Sequence, residues 1–337
     1  MATRVGINGF GRIGRLSVRA ITEKYAGEID VVAVNDLADA KTNAFLLKHD
    51  TNYGDFKGSV VGLESGMEVN GKGISVYSER EPGAIPWGRD GVDIVIETTG
   101  LFTDANKARE HLRRGVKKVI IGAPAKHEDI TIVLGVNHDA YDPATHHVIS
   151  NASCTTNGLA PIAKVLNDNF GIEKGLLTAI HAYTNSQKIV DTAAKDLRDA
   201  RAAAVNIVPS STGAAKAVGL VIPTLQGRFT GMSFRVPSPT VSAVDFTALL
   251  SRDVTVAEIN EAHRAAAEAG PLAGILRYTE EPLVSSDLKG SPYSSIFSAL
   301  DTIGLGSFVK VVAWYDNEWG YASRVADLIK FLSERGF

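Results

Sequence analysis

The N-terminal half of the chain alternates short apolar runs with stretches of helical period. Residues 5–7 are an apolar run leading into a glycine-rich turn, followed by Leu16, Val18, Ala20 and Ile21, which predicts strand, turn and helix. Residues 31–34 predict a second strand and 43–49 a helix; residues 60–77, broken by Gly62, Gly66, Gly71 and Gly73, predict several short strands. A strand at 92–97, a helix at 103–114, a strand at 116–121 and a short one at 148–150 complete the alternation, which predicts a parallel sheet. Beyond it, Leu159, Ile162, Leu166 and Phe170 recur at helical spacing, and Pro161 predicts a kink or an irregular start there. Residues 176–180 predict a strand and 185–204 an extended polar loop. Further strands are expected at 234–236, 244–250 and 309–315, an amphipathic helix at 256–268, and a closing helix through Val325, Leu328, Ile329 and Leu332.

Length turns this pattern into two domains, because 337 residues exceed one comfortable core. Charge narrows the partners: 35 basic against 38 acidic residues, with no block of like charge, argue against a nucleic-acid arm or a membrane-surface patch and favour a small soluble partner. The N-terminus has no signal-peptide pattern, and no apolar run approaches the roughly 18 residues of a membrane span. One cysteine excludes an internal disulfide and suits the reducing cytoplasm. No metal site is expected.

The glycine turn carries the first chemistry. Gly9, Gly11 and Gly14 have the G-x-G-x-x-G spacing between a strand and a helix, where glycines let a pyrophosphate approach the helix N-terminus. Asp36 ends the second strand about 20 residues on, where a carboxylate grips a ribose 2′-hydroxyl and repels a 2′-phosphate, favouring NAD over NADP. Ligands of parallel sheets bind at the carboxyl ends of the strands, so Arg80, Thr98, Gly100 and Gly122 are expected to line the crevice. Cys154 follows the 148–150 strand at a predicted helix start, which places the thiol at the rim of the dinucleotide site. Cysteine is by default a buried apolar residue, but hydroxyls and amides crowd this one, and a helix N-terminus lowers a thiol pKa. His181, at a predicted strand end, is either structural or the base for that thiol. Residues 209–216 read as an anion site or an ordinary N-cap at a helix start. Arg235, set in an apolar strand, calls for an anionic partner such as phosphate or carboxylate.

These pieces together resemble the phosphorylating glyceraldehyde-3-phosphate dehydrogenases, through residues 8–15, 34–36, 150–157, 181–184 with Gln187, 206–218 and 314–321. The resemblance implies an α/β fold: a Rossmann-type parallel-sheet NAD-binding domain at 1–150, completed by the C-terminal helix at about 318–337, and an α+β catalytic domain at 151–317 with a mainly antiparallel sheet. It implies Cys154 as nucleophile, His181 as base and Asn317 as the nicotinamide ligand. Arg12, Ile13, Asp36 and Arg80 would be further cofactor contacts. Ser153, Thr155, Thr184, Arg198, Thr212, Gly213 and Arg235 would be ligands of two phosphates, one on the aldehyde substrate and one inorganic. A homotetramer is also implied, with the polar loop after Thr184 at a subunit interface. Four positions at three places depart from the family: Asp191 is followed by Thr192 and Ala193 rather than Leu-Pro, leaving room for weaker NADP use, Gly122 replaces a serine or threonine, and Ala322 replaces a serine.

The expected reaction is oxidation of a phosphorylated aldehyde through a hemithioacetal and a thioester, which inorganic phosphate takes as an acyl phosphate. Two other readings remain open at this point. One is a relative that acts on an aldehyde such as erythrose 4-phosphate and hydrolyses the thioester. The other is a non-catalytic dinucleotide sensor with a redox-active thiol, which leaves His181, Arg235 and Asn317 without a task.

Overall fold

The structure is a computed structural model and describes residues 2–337. Its strands are β1 (Thr3–Asn8), β2 (Ile29–Asn35), β3 (Val60–Gly62), β4 (Gly66–Val69), β5 (Lys72–Tyr77), β6 (Ile94–Glu97), β7 (Lys118–Ile121), β8 (Ile130–Thr131), β9 (Val148–Ser150), β10 (Ile172–Ala182), β11 (Val208–Ser211), β12 (Phe229–Val236), β13 (Ser242–Leu250), β14 (Leu276–Thr279), β15 (Ser295–Leu305) and β16 (Phe308–Tyr315). Its α-helices are α1 (Arg12–Lys24), α2 (Ala40–Lys48), α3 (Ala105–Ala108), α4 (Cys154–Phe170), α5 (Ala214–Val221), α6 (Val256–Glu268) and α7 (Trp319–Arg335). The described residues divide into two compact units: residues 2–132, 139–152 and 322–337, and residues 133–138 with 153–321.

The first unit holds a nine-stranded sheet in the order β3-β4-β5-β2-β1-β6-β7-β9-β8. From β5 to β8 every neighbouring pair is parallel, while β3, β4 and β5 form an antiparallel edge. The central strands are buried on both faces, with Val5, Ile7, Ile94, Val95, Ile96, Val119, Ile120 and Ile121 all at 0% exposure, as a sheet with helices on both sides requires. The last helix belongs to this unit from Ala322 on. Asp327 on α7 accepts from Tyr25 at 2.7 Å and pairs with Lys24 and Arg324, tying α7 to the end of α1.

One expected helix is much shorter than its pattern. Residues 103–114 give a single α-turn, α3, capped by Asp104, and then a 3₁₀ stretch in which Arg114 takes a left-handed φ of 61°. The tighter turn accompanies complete burial of His111, whose two ring nitrogens meet Trp87 and Glu97.

The second unit holds a seven-stranded sheet, β11-β12-β10-β13-β16-β15-β14, in which β10–β12 and β14–β15 are parallel and the other pairs antiparallel. Helices α4 and α6 pack against it. β14 and β15 have no counterpart in the hydrophobic pattern: serine, aspartate and threonine interrupt β15, yet its first five residues are all buried. Helix α4 runs unbroken through Pro161, which withholds one N–H from the ladder but does not end the helix. The loop between Ala182 and β11 carries no α-helix or β-strand, as its polar composition predicts.

Candidate catalytic site

In the first unit the glycine turn has the geometry a dinucleotide needs. Gly9 takes a φ of 90°, a conformation that disfavours any side chain. A Cβ at Gly14 would lie 2.4 Å from the Gly9 carbonyl oxygen, so the first turn of α1 closes tightly on the loop, whereas a Cβ at Gly11 would meet nothing within 4 Å. No side chain caps α1, so its first turn, with Arg12, Ile13 and Gly14, faces that open space with backbone donors. Asp36 accepts from the Phe10 N–H at 2.8 Å and from the Ala38 N–H at 2.9 Å, which fixes its carboxylate beside the turn. These residues fit a pyrophosphate and its ribose.

The other expected cofactor residues fall around the same strand ends. The Thr98 hydroxyl donates to the Gly9 carbonyl at 2.7 Å. Gly100 has a φ of 74°, and Arg80 is exposed. Gly122 is explained by Thr98, since a Cβ there would come within 2.8 Å of Thr98 Cγ2. The Arg12 guanidinium is held by Asp50, so its side chain already has an anionic partner.

In the second unit Ser153 caps α4, its hydroxyl accepting from the Thr156 N–H at 3.0 Å, and Cys154 is the first helical residue. The residue before the cap, Ala152, takes a φ of 55°, a conformation alanine rarely adopts, and is fully buried. Cys154 Sγ lies 3.4 Å from His181 Nε2. Parallel pairing of β10 with β12 sets His181 opposite Arg235, and Arg235 Nη1 lies 2.5 Å from His181 Nδ1. The cysteine, the histidine and the arginine are thus one contiguous group.

Their charges differ from the expectation of an acidified thiol. Burial pushes the Cys154 thiol above its ordinary value; the Arg235 cation and the N–H groups at the start of α4 pull it down without prevailing. His181 is pushed down to about 3, by burial first and by Arg235 second. The pair therefore rests at neutral pH as thiol and neutral imidazole. Two ring tautomers are open to His181, whose Nδ1 also lies 2.7 Å from the Ala182 carbonyl oxygen. A guanidinium only donates, so while Arg235 donates to Nδ1 the ring proton sits on Nε2, facing sulfur. When Nδ1 instead donates to Ala182, Nε2 presents its lone pair to the thiol. Arg235 Nε is buried with no partner, leaving the guanidinium donor capacity for an anion.

Asn317 is oriented by a residue the sequence does not single out. Ser242 accepts from the Ala182 N–H at 3.0 Å and donates to Asn317 Oδ1 at 3.0 Å, which leaves the Asn317 NH₂ as the outward donor. Two residues earlier, Thr240 donates to Asp316 at 2.9 Å, and Asp316 in turn accepts from the N–H groups of Glu318 and Trp319 to start α7. Tyr315 also escapes sequence reading: its hydroxyl pairs with Thr155 at 2.9 Å and its ring packs edge-on to His181. Only the β13–β16 register, with Ser242 opposite Tyr315, brings these residues to His181.

The remaining expected phosphate ligands are spread over three places. Thr184 pairs with Ser186 and Gln187 at the start of the long loop, and Gln187 reaches Asp199 at 2.8 Å. Arg198 is exposed in that loop, where Asp191 folds back onto Arg201 and the Ala202 N–H, each at under 3 Å. Thr212 and Gly213 head α5, which packs on α4, and the Thr212 hydroxyl accepts from the Ala214 N–H. No hydrogen bond joins these four to the cysteine, histidine and arginine.

Comparison with known proteins agrees with this division of labour. Residues 3–105 match the family description "Glyceraldehyde 3-phosphate dehydrogenase, NAD binding domain", and residues 153–317 match "Glyceraldehyde 3-phosphate dehydrogenase, C-terminal domain". The chain is 57% identical over 336 residues to the glyceraldehyde-3-phosphate dehydrogenase of Streptomyces coelicolor, covering 99% of this chain and 100% of that one. It is 57% identical to the Geobacillus stearothermophilus enzyme and 56% identical to glyceraldehyde-3-phosphate dehydrogenase 1 of Bacillus subtilis, each over 337 residues and the whole of both chains. With both units matched and such relatives spanning its length, the chain belongs to the glyceraldehyde-3-phosphate dehydrogenase family.

Proposed function

We infer that this protein oxidises D-glyceraldehyde 3-phosphate with NAD and inorganic phosphate, giving 1,3-bisphosphoglycerate in glycolysis and gluconeogenesis. The observation that carries the reading is Cys154 Sγ at 3.4 Å from His181 Nε2, with Arg235 behind the ring. Thiol sulfur attacks the aldehyde carbon while His181 Nε2 takes the thiol proton and passes it to the carbonyl oxygen, giving a hemithioacetal on Cys154 and leaving the imidazole neutral again. Bound NAD supplies the acceptor for the hydride that this adduct gives up. His181 accepts the proton of the adduct's hydroxyl as the carbonyl of a thioester forms. A phosphate oxygen then attacks the thioester carbon, the Cys154 thiolate leaves, and the product is an acyl phosphate.

Arg235 has two tasks in this scheme. It binds an anionic group of the substrate, and in doing so it releases Nδ1 of His181. An anion drawn onto the guanidinium favours the tautomer in which Nδ1 donates to Ala182 and Nε2 is free to act as base. The base is therefore switched on by occupancy. Ser153, Thr155, Thr184, Arg198, Thr212 and Gly213 complete the proposed phosphate ligands. Asn317, through the amide that Ser242 orients, is the proposed ligand of the nicotinamide carboxamide, and Asp36 limits NADP to the weaker cofactor.

The test is phosphate dependence. NADH formation from glyceraldehyde 3-phosphate should rise with inorganic phosphate and saturate, and Cys154→Ser should lower it by about 10³-fold or more while NAD still binds. Turnover indifferent to phosphate would instead mean thioester hydrolysis. No helix among the described residues is long and apolar enough to cross a membrane, and a lone thiol nucleophile suits the cytoplasm. A homotetramer is also proposed. It is supported by exposed Ile189, Val190, Leu197 and Val205 in the long loop and by a groove of ≈ 520 Å³ on the second sheet, lined by Leu300, Ile303 and Trp314. Sedimentation at micromolar protein should give four times the chain mass.

A further inference from the structure

Three strands of the first sheet end in polar side chains at one level: Asn35 of β2 stands opposite Asn8 of β1, and Asn8 opposite Glu97 of β6. All three are buried, at 4%, 2% and 2% exposure. Glu97 Oε2 accepts from Asn8 Nδ2 at 2.5 Å and from His111 Nε2 at 3.1 Å; its Oε1 accepts from the Thr99 N–H at 2.8 Å and from the Thr99 hydroxyl. Asn8 Oδ1 accepts from Asn35 Nδ2 at 2.8 Å. Asn35 then holds the Glu79 peptide from both sides, donating to its carbonyl and accepting from its N–H, each at 2.8 Å.

Every direction in this chain is forced. Trp87 Nε1 can only donate, and it donates to His111 Nδ1, so His111 must carry its proton on Nε2 and point it at Glu97. A carboxylate only accepts, so Asn8 must turn its NH₂ to Glu97 and its oxygen to Asn35. Asn35 must therefore present its own oxygen to the Glu79 N–H. The residues that follow directly are Gly9 after Asn8, Asp36 after Asn35 and Arg80 after Glu79, while Thr99 and Gly100 lie just beyond Glu97.

We propose that Glu97 is a positioning residue for the cofactor: by fixing the amide directions of Asn8 and Asn35, it sets the spacing of the loops that carry Gly9, Asp36 and Arg80. The proposal rests on the reading that those loops hold NAD. It goes beyond stability because a change at Glu97 that conserves shape should act at a distance. In Glu97→Gln the new NH₂ opposes either the Thr99 N–H, which is backbone and cannot turn, or the donors of Asn8 and His111. Flipping Asn8 moves the conflict to Asn35, and flipping Asn35 moves it to the Glu79 N–H, again backbone. Buried at each step, the conflict cannot be relieved by bulk water.

The test is calorimetric titration of the folded protein with NAD and with ADP-ribose, which lacks the nicotinamide, alongside steady-state kinetics. Glu97→Gln should weaken both ligands by about tenfold and raise the KM for NAD in step, with kcat at saturating NAD within about twofold of the parent. A merely structural role would lower the melting temperature and leave both affinities alone. Asn35→Ala, which keeps the remaining donors on Glu97, should repeat the loss. Unchanged affinity in either folded variant overturns the proposal. Asp36→Ala serves as control: if it too binds NAD like the parent, the assignment of the cofactor loops fails instead.

Discussion

In the proposed active site the histidine assigned as base is flanked by a cation rather than by a carboxylate. Arg235 lies against His181 Nδ1, and with burial it holds the imidazole at a pKa of about 3, while burial keeps the thiol above its usual value. Without an anion the thiol is therefore protonated at neutral pH, and alkylation of Cys154 should accelerate with pH through and beyond the ordinary thiol range near 8.5. Replacing Arg235 by leucine removes one influence that lowers each group. The thiol pKa should rise further and the His181 pKa should rise towards 6.5. The alkylation profile then moves to higher pH, and the imidazole titration followed by NMR moves upward; a profile unmoved by Arg235→Leu would remove the cation from the account. Three residues of this group were singled out in sequence: Cys154, His181 and Arg235. Ser242 and Tyr315 were not, since nothing in a run of β-strand letters tells which serine or tyrosine will face a histidine some 60 or more residues away.

At the scale of elements, α4 and β16 fit each other through one glycine. Gly158 sits inside α4, where alanine would be favoured by about 1 kcal/mol on helix propensity alone. A Cβ at 158 would lie 2.9 Å from the ring of Tyr315, which is 1% exposed and bonded through its hydroxyl to Thr155. The ring has no room to move, and overpacking of this kind costs about 1–3 kcal/mol. Gly158→Ala should therefore be net destabilising by about 1 kcal/mol in denaturant titration, and should lower activity by displacing Tyr315 from His181. A gain in stability would mean that α4 tolerates a shift away from β16. The same element shows what periodicity can and cannot give: its helix is legible from Leu159, Ile162, Leu166 and Phe170, while the reason for Gly158 is written in a strand more than 150 residues later.

At the scale of the molecule, stability depends on groups that no catalytic step uses. His263 of α6 is fully buried, stacks on Phe297 at 3.9 Å between ring centroids, and donates from Nδ1 to the Ile259 carbonyl oxygen at 2.8 Å. As that oxygen accepts, Nδ1 carries the proton and the ring is neutral; burial pushes its pKa down to about 4. The unfolded chain binds this proton near pH 6.5, so stability is fully present above that value and is lost as pH falls from 6.5 to about 4. The loss is about 3 kcal/mol for this one group. His263→Phe should flatten the dependence in that window, as seen in melting temperatures between pH 7 and 4; a slope equal to the parent's would assign the acid sensitivity elsewhere. His181 contributes in the same direction, with a folded pKa of about 3.

Local order is what the sequence settles by itself. The strand–glycine–helix unit with Asp36, the helix that begins at Cys154, the helix α6 and the closing helix all follow from apolar periodicity, capping residues and glycine spacing, which act over a few residues and need no distant partner. The structure shortened the 103–114 helix and added β14 and β15, because in both places burial against distant groups outweighs local pattern. Strand register was decided only in three dimensions. It sets Arg235 beside His181, Ser242 beneath Asn317, and Asn8 between Asn35 and Glu97. Hydrogen-bond direction and charge state belong to that level as well. A thiol at a helix start reads as acidified from sequence, and only desolvation of the half-buried Cys154 in the folded second unit reverses the sign.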